Sequence, residues 1–365
     1  MKTPSIRQKN SIATALQPFV DNHSLAGAVT LVATKDKILD VTTVGFADVA
    51  RRTPMRRDGM FWIASMTKPM TGAAVMMLVD EGRLSVDDPV EKYLPEFKDQ
   101  MVIAERDDQH MLLKRPAHPI TLRNVLTHTS GLPFVSALQQ MPLDRLPLRV
   151  SVAGNAMTPL QQEPDTKYVY SNAGISTAAR VLEVVAGEPY EKFFAQRLLK
   201  PLGMKDTTFW PTAAQLRRLA KPYKPNEAKT GLEETTIGQL RSPFSNRRCR
   251  YPMPGGGLFS TARDVARFGQ MILNSGTLAG RRYLSETAVR EMTRRQTGPA
   301  ISESYGFGWQ AGEGWSGHGG ALATNLKVHW QRGLVTVFLV QHAGFPGEGG
   351  KSLEAFEQAA LQLRD

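Results

Sequence analysis

The sequence predicts an α/β (α+β) fold in which strands from both ends of the chain form one sheet and a mostly helical region lies between them. Near the N-terminus, two runs rich in β-branched residues flank a polar tetrapeptide at 34–37, as expected for a hairpin. Near the C-terminus, residues 335–340 are almost continuously apolar, which is typical of a strand covered on both faces. The predicted strands are residues 26–33, 38–44, 306–309, 321–330 and 334–341.

Apolar residues at helical spacing predict the remaining elements. One helix, which begins near Ser65 and is closed by Gly82, is apolar on all sides, so we expect it to be buried. The other helices are predicted at residues 12–20, 121–126, 172–185, 261–273 and 353–363. This order assigns residues 1–84 and 290–365 to an α/β domain built from both termini, and residues 85–289 to a mostly helical domain.

Composition excludes several classes of protein. The chain has 365 residues, of which 41% are hydrophobic and 22% charged, as in an ordinary globular protein. Lys and Arg outnumber Asp and Glu by 45 to 34, but they are scattered, so the net charge of +11 does not indicate a nucleic-acid partner. No segment approaches the ~20 apolar residues of a membrane span. The single cysteine, Cys249, excludes an intrachain disulfide and a cysteine metal cluster.

Sequence patterns that are missing predict the location of the protein and its need for cofactors. The first residues do not contain the apolar core of a signal peptide, so we expect a cytoplasmic location, or a periplasmic or secreted one if a signal preceded residue 1. The histidines show no metal-binding spacing, and no phosphate-binding or dinucleotide fingerprint occurs, so neither a metal nor a cofactor is expected. The oligomeric state stays open.

Ser65-x-x-Lys68 stands at the start of the buried helix, and this short spacing has two interpretations. In the simpler one, Ser65 caps the helix and Lys68 is a surface residue of its first turn. A lysine there opposes the helix dipole, however, and the sequence after it is too apolar for a solvated face. Desolvation lowers the pKa of a lysine, so Lys68 is alternatively a base for the Ser65 hydroxyl.

Two further motifs contain groups that suit acyl transfer. In Tyr170-Ser171-Asn172 the side chains of Tyr170 and Asn172 point the same way if the segment is extended; the alternative is a strand end with Asn172 as a helix cap and the Tyr170 phenol exposed on a loop. Residues 315–321, which include His318, Gly319 and Gly320, are predicted to form a turn before a strand, or a strand edge that a substrate approaches closely. A backbone N–H in this segment and that of Ser65 are candidates for an oxyanion hole.

The three motifs together resemble the penicillin-recognising serine hydrolases, which include class C β-lactamases, D-alanyl-D-alanine carboxypeptidases, D-aminopeptidases and family VIII carboxylesterases. Their order matches over residues 10–345, and residues 64–69, 126–132 and 255–264 are similar as well. The resemblance implies a β-lactamase/transpeptidase-like fold, with an antiparallel sheet flanked by helices and a cleft between the two domains. It also implies an acyl-enzyme on Ser65, with Lys68 and Tyr170 jointly as base and acid, Asn172 orienting substrate, and the Ser65 and Ala321 N–H groups as oxyanion donors.

His318 departs from the pattern, because β-lactamases usually have lysine there. A largely neutral histidine attracts the carboxylate of a β-lactam less well. We therefore expect a carboxylesterase that acts on small ester substrates, with weak or no β-lactamase activity. The alternatives are a β-lactamase, a D-amino-acid peptidase or amidase, an acyltransferase, and a catalytically silent binding module of the same fold. Three aromatic residues are candidates for lining an acyl pocket: Phe134, Phe307 and Trp309.

Overall fold

The computed structural model describes residues 11–363. Its strands are β1 (Gly27–Ala33), β2 (Ile38–Asp48), β3 (Thr53–Pro54), β4 (Phe61–Trp62), β5 (Val102–Arg106), β6 (Met111–Lys114), β7 (Tyr223–Pro225), β8 (Leu232–Glu234), β9 (Phe259–Ser260), β10 (Thr277–Leu278), β11 (Arg281–Arg282), β12 (Gln310–Gly312), β13 (Trp315–Gly319), β14 (Asn325–His329) and β15 (Leu334–Leu339). Its helices are α1 (Ser11–Asp21), α2 (Thr67–Asp80), α3 (Leu122–Thr127), α4 (Leu148–Ala156), α5 (Asn172–Ala186), α6 (Tyr190–Phe194), α7 (Lys200–Leu202), α8 (Ala213–Leu216), α9 (Ala262–Leu273), α10 (Glu286–Thr293) and α11 (Ser352–Ala360).

One seven-stranded antiparallel sheet combines both ends of the described chain. Its order is β12-β13-β14-β15-β1-β2-β3, so the first strand of the chain pairs with the last. Helices α1 and α11 pack together on one face, where Ile12, Leu16, Phe338 and Phe356 form a core. On the other face lie α9 and the buried helix α2. The antiparallel sheet flanked by helices confirms the predicted fold class, whereas the exact domain boundaries stay a prediction.

Helix α2 is the element that the sequence predicted to be buried. Every residue from Thr67 to Leu78 is buried, because apolar side chains surround its whole circumference. The helix ends at Asp80, and Gly82 follows with φ +67°, a left-handed conformation that terminates helices.

Two predictions for the C-terminal strands were wrong. Residues 306–309 do not form a strand, because Gly308 has φ +81° and the segment packs against α2, where a Cβ at Gly72 would lie 2.2 Å from the Phe307 carbonyl oxygen. Of the two interpretations of residues 315–321, the turn is wrong, whereas residues 315–319 do form a strand, β13. The strand predicted at 321–330 is shortened to β14. Gly317 suits β13 because a Cβ there would lie 2.3 Å from the Leu326 oxygen of β14.

A buried ion pair joins two loops beside the helical region. Arg250 Nε lies 2.5 Å from Asp144 Oδ2, and both side chains are almost completely excluded from solvent. The Arg241 N–H also donates to Asp144 Oδ1, and Arg250 Nη1 donates to the carbonyls of Phe209 and Phe244. The pair therefore links residues 143–145 to residues 239–251.

Replacing Asp144 by alanine is expected to lower the free energy of unfolding by about 3–5 kcal/mol, because it leaves the Arg250 guanidinium buried without its counter-charge. Urea denaturation measures this change. An Asp40→Ala variant, at a partly exposed carboxylate that bonds only Thr42, is the control and should change stability little. A loss below about 1 kcal/mol for Asp144→Ala would show that water reaches Arg250.

Candidate active site

Ser65 lies in a tight 3₁₀ turn, Ala64–Met66, that leads directly into α2. Ala64 has φ +45°, a conformation that an alanine rarely adopts and that costs about 1–3 kcal/mol. The turn is held by Thr67, whose Oγ1 donates to the Ala64 carbonyl over 2.7 Å. Neither the turn nor α2 uses a side chain as its N-cap, so the Ser65 hydroxyl has no capping function. The simpler interpretation of Ser65 as a helix cap is therefore wrong.

Lys68 is completely buried in the first turn of α2, so its interpretation as a surface residue is also wrong. Its Nζ lies 2.8 Å from Asn172 Oδ1, 2.6 Å from the Gly255 carbonyl oxygen and 3.2 Å from Ser65 Oγ. These partners are neutral, and no described carboxylate forms an ion pair with Nζ. Burial consequently holds the pKa of Lys68 well below its ordinary value.

A neutral lysine amine has two N–H donors and one lone pair. The acceptors on Asn172 and Gly255 match the two donors, which leaves the lone pair for the proton of the Ser65 hydroxyl. The site thus contains a hydroxyl and an amine of lowered pKa at hydrogen-bonding distance, which is the geometry of a nucleophile and its base.

Tyr170 is the third residue beside Ser65 and Lys68. The Lys68 Nζ is 4.5 Å from the centre of the Tyr170 ring. Burial raises the pKa of Tyr170 to about 12, while a hydrogen bond with Ser65 acts in the opposite direction. The Tyr170 phenol therefore holds its proton more tightly than a free tyrosine, and the Lys68 amine holds its proton less tightly than a free lysine. The pKa values of Tyr170 and Lys68 are thus shifted in opposite directions, as a proton donor and a proton acceptor require.

Local signals place Tyr170 and Asn172 beside Lys68. Ser171 caps α5, because its Oγ accepts from the Gly174 N–H over 2.9 Å and its own hydroxyl donates to the Pro133 carbonyl. The extended backbone at Ser171 directs the residues on either side of it into the cleft. The motif is therefore both a helix start and part of the site, but the predicted cap is wrong, because Ser171 and not Asn172 caps the helix.

His318 lies at the end of β13, within a chain of hydrogen bonds that the sequence did not indicate. The Ser171 N–H donates to His128 Nδ1 over 3.1 Å, so His128 carries its proton on Nε2, which lies 3.3 Å from Tyr305 Oη. The Tyr305 hydroxyl is 2.8 Å from His318 Nε2, and His318 Nδ1 donates to the Gly319 carbonyl over 2.6 Å. One direction of donation satisfies every group, provided that both histidines are neutral.

Burial is the main cause that lowers the pKa of His318 to about 3, with a smaller lowering from Lys68 in its protonated form, and burial likewise holds the pKa of His128 well below its usual range. His318 therefore presents no positive charge to the cleft at neutral pH. His128 is the C-cap of α3, and its ring lies 4.5 Å from that of Tyr170. Local sequence spacing cannot reveal this chain of hydrogen bonds, because Tyr305 lies 177 residues from His128.

Replacing Tyr305 by phenylalanine is expected to lower the free energy of unfolding by about 1–3 kcal/mol for each of the two imidazole nitrogens that lose a buried partner. Urea denaturation measures the change. Tyr190→Phe is the matched control, because that buried hydroxyl contacts only Thr71, which keeps the Pro254 carbonyl as an acceptor. Equal losses in the two variants would contradict the hydrogen-bonded chain.

Gly319, Gly320 and Ala321 follow His318 along one wall of the same cleft. The Gly320 N–H donates to the Thr324 carbonyl over 2.7 Å, and Thr324 Oγ1 donates to the Ile63 carbonyl over 3.2 Å. A Cβ at Gly320 would lie 2.6 Å from that Ile63 oxygen. The glycine thus allows the end of β13 to approach the turn that carries Ser65.

The cleft has a volume of about 470 Å³. It brings together every predicted catalytic and substrate-binding residue except Lys68, which is buried and does not line it. The lining residues are Trp62, Ala64, Ser65, Phe134, Tyr170, Asn172, Gln239, Met253, Gly256, Gln310, His318, Gly319, Gly320, Ala321 and Asn325. Phe134 lines the cleft as suggested, but Phe307 and Trp309 do not, because both are buried in the core against α2 and α9.

Two negative findings concern the described residues 11–363. No group of three or more His, Cys, Asp or Glu side chains in them is arranged to hold a metal ion. None of their helices is both long and apolar enough to cross a bilayer.

Comparison with known proteins places this geometry in a family. Residues 12–360 match the Beta-lactamase family. The chain is 36% identical over 326 residues to an uncharacterised protein of Mycobacterium tuberculosis, covering 86% of this chain and 77% of that protein. It is 31% identical over 314 residues to the esterase EstB of Burkholderia gladioli, covering 79% of this chain and 74% of EstB.

A solved structure shows the same fold. EstCE1, described as a hydrolase with promiscuous acyltransferase activity, superposes with a TM-score of 0.82 at 24% identity, covering 98% of this chain and all of EstCE1. The architecture is thus the β-lactamase/transpeptidase-like fold that the motifs implied. Given the match over nearly its whole length, the chain belongs to the β-lactamase family, within the serine hydrolase superfamily of that fold.

Proposed function

We propose that the protein is a carboxylesterase that hydrolyses small ester substrates through an acyl-enzyme on Ser65. The observation that carries this proposal is the buried Lys68 amine, which lies 3.2 Å from Ser65 Oγ and has neutral acceptors for both of its N–H groups. Such an amine removes the hydroxyl proton as Ser65 attacks the ester carbonyl.

The carbonyl oxygen becomes an oxyanion during this attack. The backbone N–H groups of Ser65 and Ala321 are the proposed donors, since both residues line the cleft and neither N–H has a partner among the described residues. Asn172 Oδ1 fixes Lys68, and its amide nitrogen is left to contact the substrate. The tetrahedral intermediate collapses, the C–O bond to the alcohol breaks, and the leaving alkoxide takes a proton.

Tyr170 is placed to deliver that proton and to recover it from Lys68, because its phenol stays protonated around neutral pH. A water molecule then attacks the acyl-enzyme, losing a proton to the Lys68 amine. The carboxylic acid is released and Ser65 is regenerated with its hydroxyl proton. Each cycle consumes one water and leaves the enzyme unchanged.

The substrate preference rests on His318 and on a relative. The neutral imidazole lacks the fixed cation that would attract a β-lactam carboxylate. Similarity to EstB, which is named an esterase, supports ester hydrolysis rather than β-lactam hydrolysis. We therefore propose weak or no β-lactamase activity.

The test compares substrates on the wild-type protein. Hydrolysis of nitrophenyl acetate and butyrate, a penicillin and a D-alanyl-D-alanine peptide is measured, and intact-mass spectrometry detects the acyl adduct for each compound. We expect turnover of the esters and slow or absent reaction with the penicillin. Faster acylation by the penicillin or the peptide would overturn the esterase assignment, and transfer of the acyl group to an added alcohol in preference to water would identify an acyltransferase.

A Tyr170→Phe variant is expected to lose about 10²- to 10⁴-fold in kcat/KM on an ethyl ester but much less on the matching nitrophenyl ester. An ethoxide needs a proton in order to leave, whereas a nitrophenolate is a weak base and leaves without one. Comparing the two esters measures the effect. Tyr168→Phe, at a neighbouring half-buried phenol that does not line the cleft, is the control. Equal losses on both esters would remove Tyr170 from the leaving-group step.

A further inference from the structure

Helix α4 carries an exposed apolar side chain, and a second one follows directly after it. Arg149 and Val150 are exposed, Ala153 is half-buried, and Met157, directly after the helix, is 79% exposed. At 100° per residue these four positions share one face about 100° wide, and the opposite face carries the buried residues, which include Leu148 and Val152. A surface helix normally places its polar residues outside, so Val150 and Met157 are unusual on this outer face.

The loop before α4 extends the exposed apolar surface. Leu138 is 58% exposed and lies on α4 at Gly154, where a Cβ would be 3.0 Å from Leu138 Cδ1. Met141 follows on the same loop and is 53% exposed. We call Leu138, Met141, Val150 and Met157 the outer patch. The loop begins at Phe134, which lines the catalytic cleft, so the outer patch continues from the mouth of the cleft.

Exposed arginines border the outer patch on the side of its loop. Residues 134–162 and 235–263 contain a single acidic residue, Asp144, which is buried and neutralised by Arg250. The two segments are neighbours, because the Leu143 N–H donates to the Gln239 carbonyl and the Tyr251 N–H to that of Asp144. Their exposed charges are arginines: Arg145, Arg149, Arg241, Arg247, Arg248 and Arg263. Two exposed acidic residues, Glu96 and Asp99, lie on the segment that packs at the other end of α4, where Gln100 donates to the Asn155 and Thr158 carbonyls.

We propose that the outer patch docks this protein on the surface of an anionic lipid bilayer. Exposed Leu, Met and Val side chains bordered by arginines are suited to the boundary between headgroups and acyl chains, where apolar atoms insert and cations meet lipid phosphates. A stable protein partner fits less well, since such interfaces engage about 20–30 residues a side and the outer patch has four apolar side chains without a groove. Docking in this orientation sets the mouth of the cleft at the lipid surface, whatever reaction takes place in it.

The test is sedimentation of the full chain with vesicles of phosphatidylcholine, either pure or containing one third phosphatidylglycerol, at about 0.1 M salt. We expect binding to the anionic vesicles only. Leu138→Ser combined with Met157→Ser should weaken binding at least tenfold, and Arg145→Gln or Arg149→Gln should each weaken it about fivefold. The matched control is Val49→Ser combined with Val184→Ser. It removes two exposed apolar side chains outside the outer patch and leaves the net charge of the protein unchanged.

Two outcomes would overturn the proposal. One is that the protein does not bind anionic vesicles, or that the double variant of the outer patch and the control double variant weaken binding equally. Equal weakening would mean that the net positive charge alone causes the binding. The other is a dimer in light scattering that Leu138→Ser with Met157→Ser dissociates, which would make the outer patch an interface between copies. A Ser65→Ala variant should bind the vesicles like the wild type, so docking can fail or succeed independently of the proposed esterase reaction.

Discussion

A Ser65→Ala variant is expected to hydrolyse nitrophenyl acetate about 10³- to 10⁶-fold more slowly in kcat than the wild type and to form no acyl adduct. The methyl group cannot attack the carbonyl, and the nearby Lys68 amine has no hydroxyl left to deprotonate. Any remaining acceleration would come from the oxyanion donors and from binding alone. Because Ser65 caps no helix, the substitution should leave the free energy of unfolding almost unchanged.

Steady-state kinetics, intact-mass spectrometry after exposure to a fluorophosphonate, and urea denaturation measure these three effects. Ser245→Ala, at an exposed serine outside the cleft, is the control and should react like the wild type. A fluorophosphonate adduct on another residue of Ser65→Ala, or unchanged turnover, would assign the nucleophile elsewhere. A large loss of stability would instead show that the Ser65 hydroxyl holds the strained turn.

The elements that the sequence predicted well are those with local signals. Helix α5 begins at the Ser171 cap and ends at Gly187, which has φ +72°, and α9 begins at the Thr261 cap, which accepts from the Asp264 N–H. Each signal lies within four residues of the boundary that it fixes, so no knowledge of the tertiary fold is needed. The burial of α2 was predictable for the same reason, since its own side chains are apolar on all sides.

The elements that the sequence predicted poorly depend on distant contacts. Phe307 has an apolar, strand-like context, but its segment turns at Gly308 because it packs against α2. Strand β13 is rich in glycine, and its pairing with β12 and β14 reveals it as a strand. The acceptors of the Lys68 amine lie 104 and 187 residues away, at Asn172 and Gly255, so motif order could suggest the first of them and nothing local indicated the second.

The same burial that makes Lys68 a base makes it unfavourable for stability. In the unfolded chain its amine holds a proton up to a pKa of about 10.4, whereas in the folded protein the pKa is well below that value. Between the two pKa values the unfolded state binds more protons, so the Lys68 contribution to the free energy of unfolding becomes less favourable as the pH falls. Chemistry and stability therefore make opposite demands on this residue.

A Lys68→Met variant is expected to lose about 10²- to 10⁴-fold in kcat/KM for nitrophenyl acetate, the contribution of a general base, while its free energy of unfolding stays equal or rises. Methionine has a similar length, packs in an apolar site and needs no desolvation of a charge, although it leaves the Asn172 and Gly255 oxygens without a donor.

The free energy of unfolding of the wild type should increase relative to that of the variant as the pH rises from 6 towards 10, because only the wild type has the Lys68 proton to lose on folding. Urea denaturation across this range, together with ester kinetics, measures both effects. Lys92→Met, at an exposed lysine, is the control and should show neither. A variant that loses stability by the same amount at every pH would mean that Lys68 folds as a charged ammonium, and the proposed base would then be wrong.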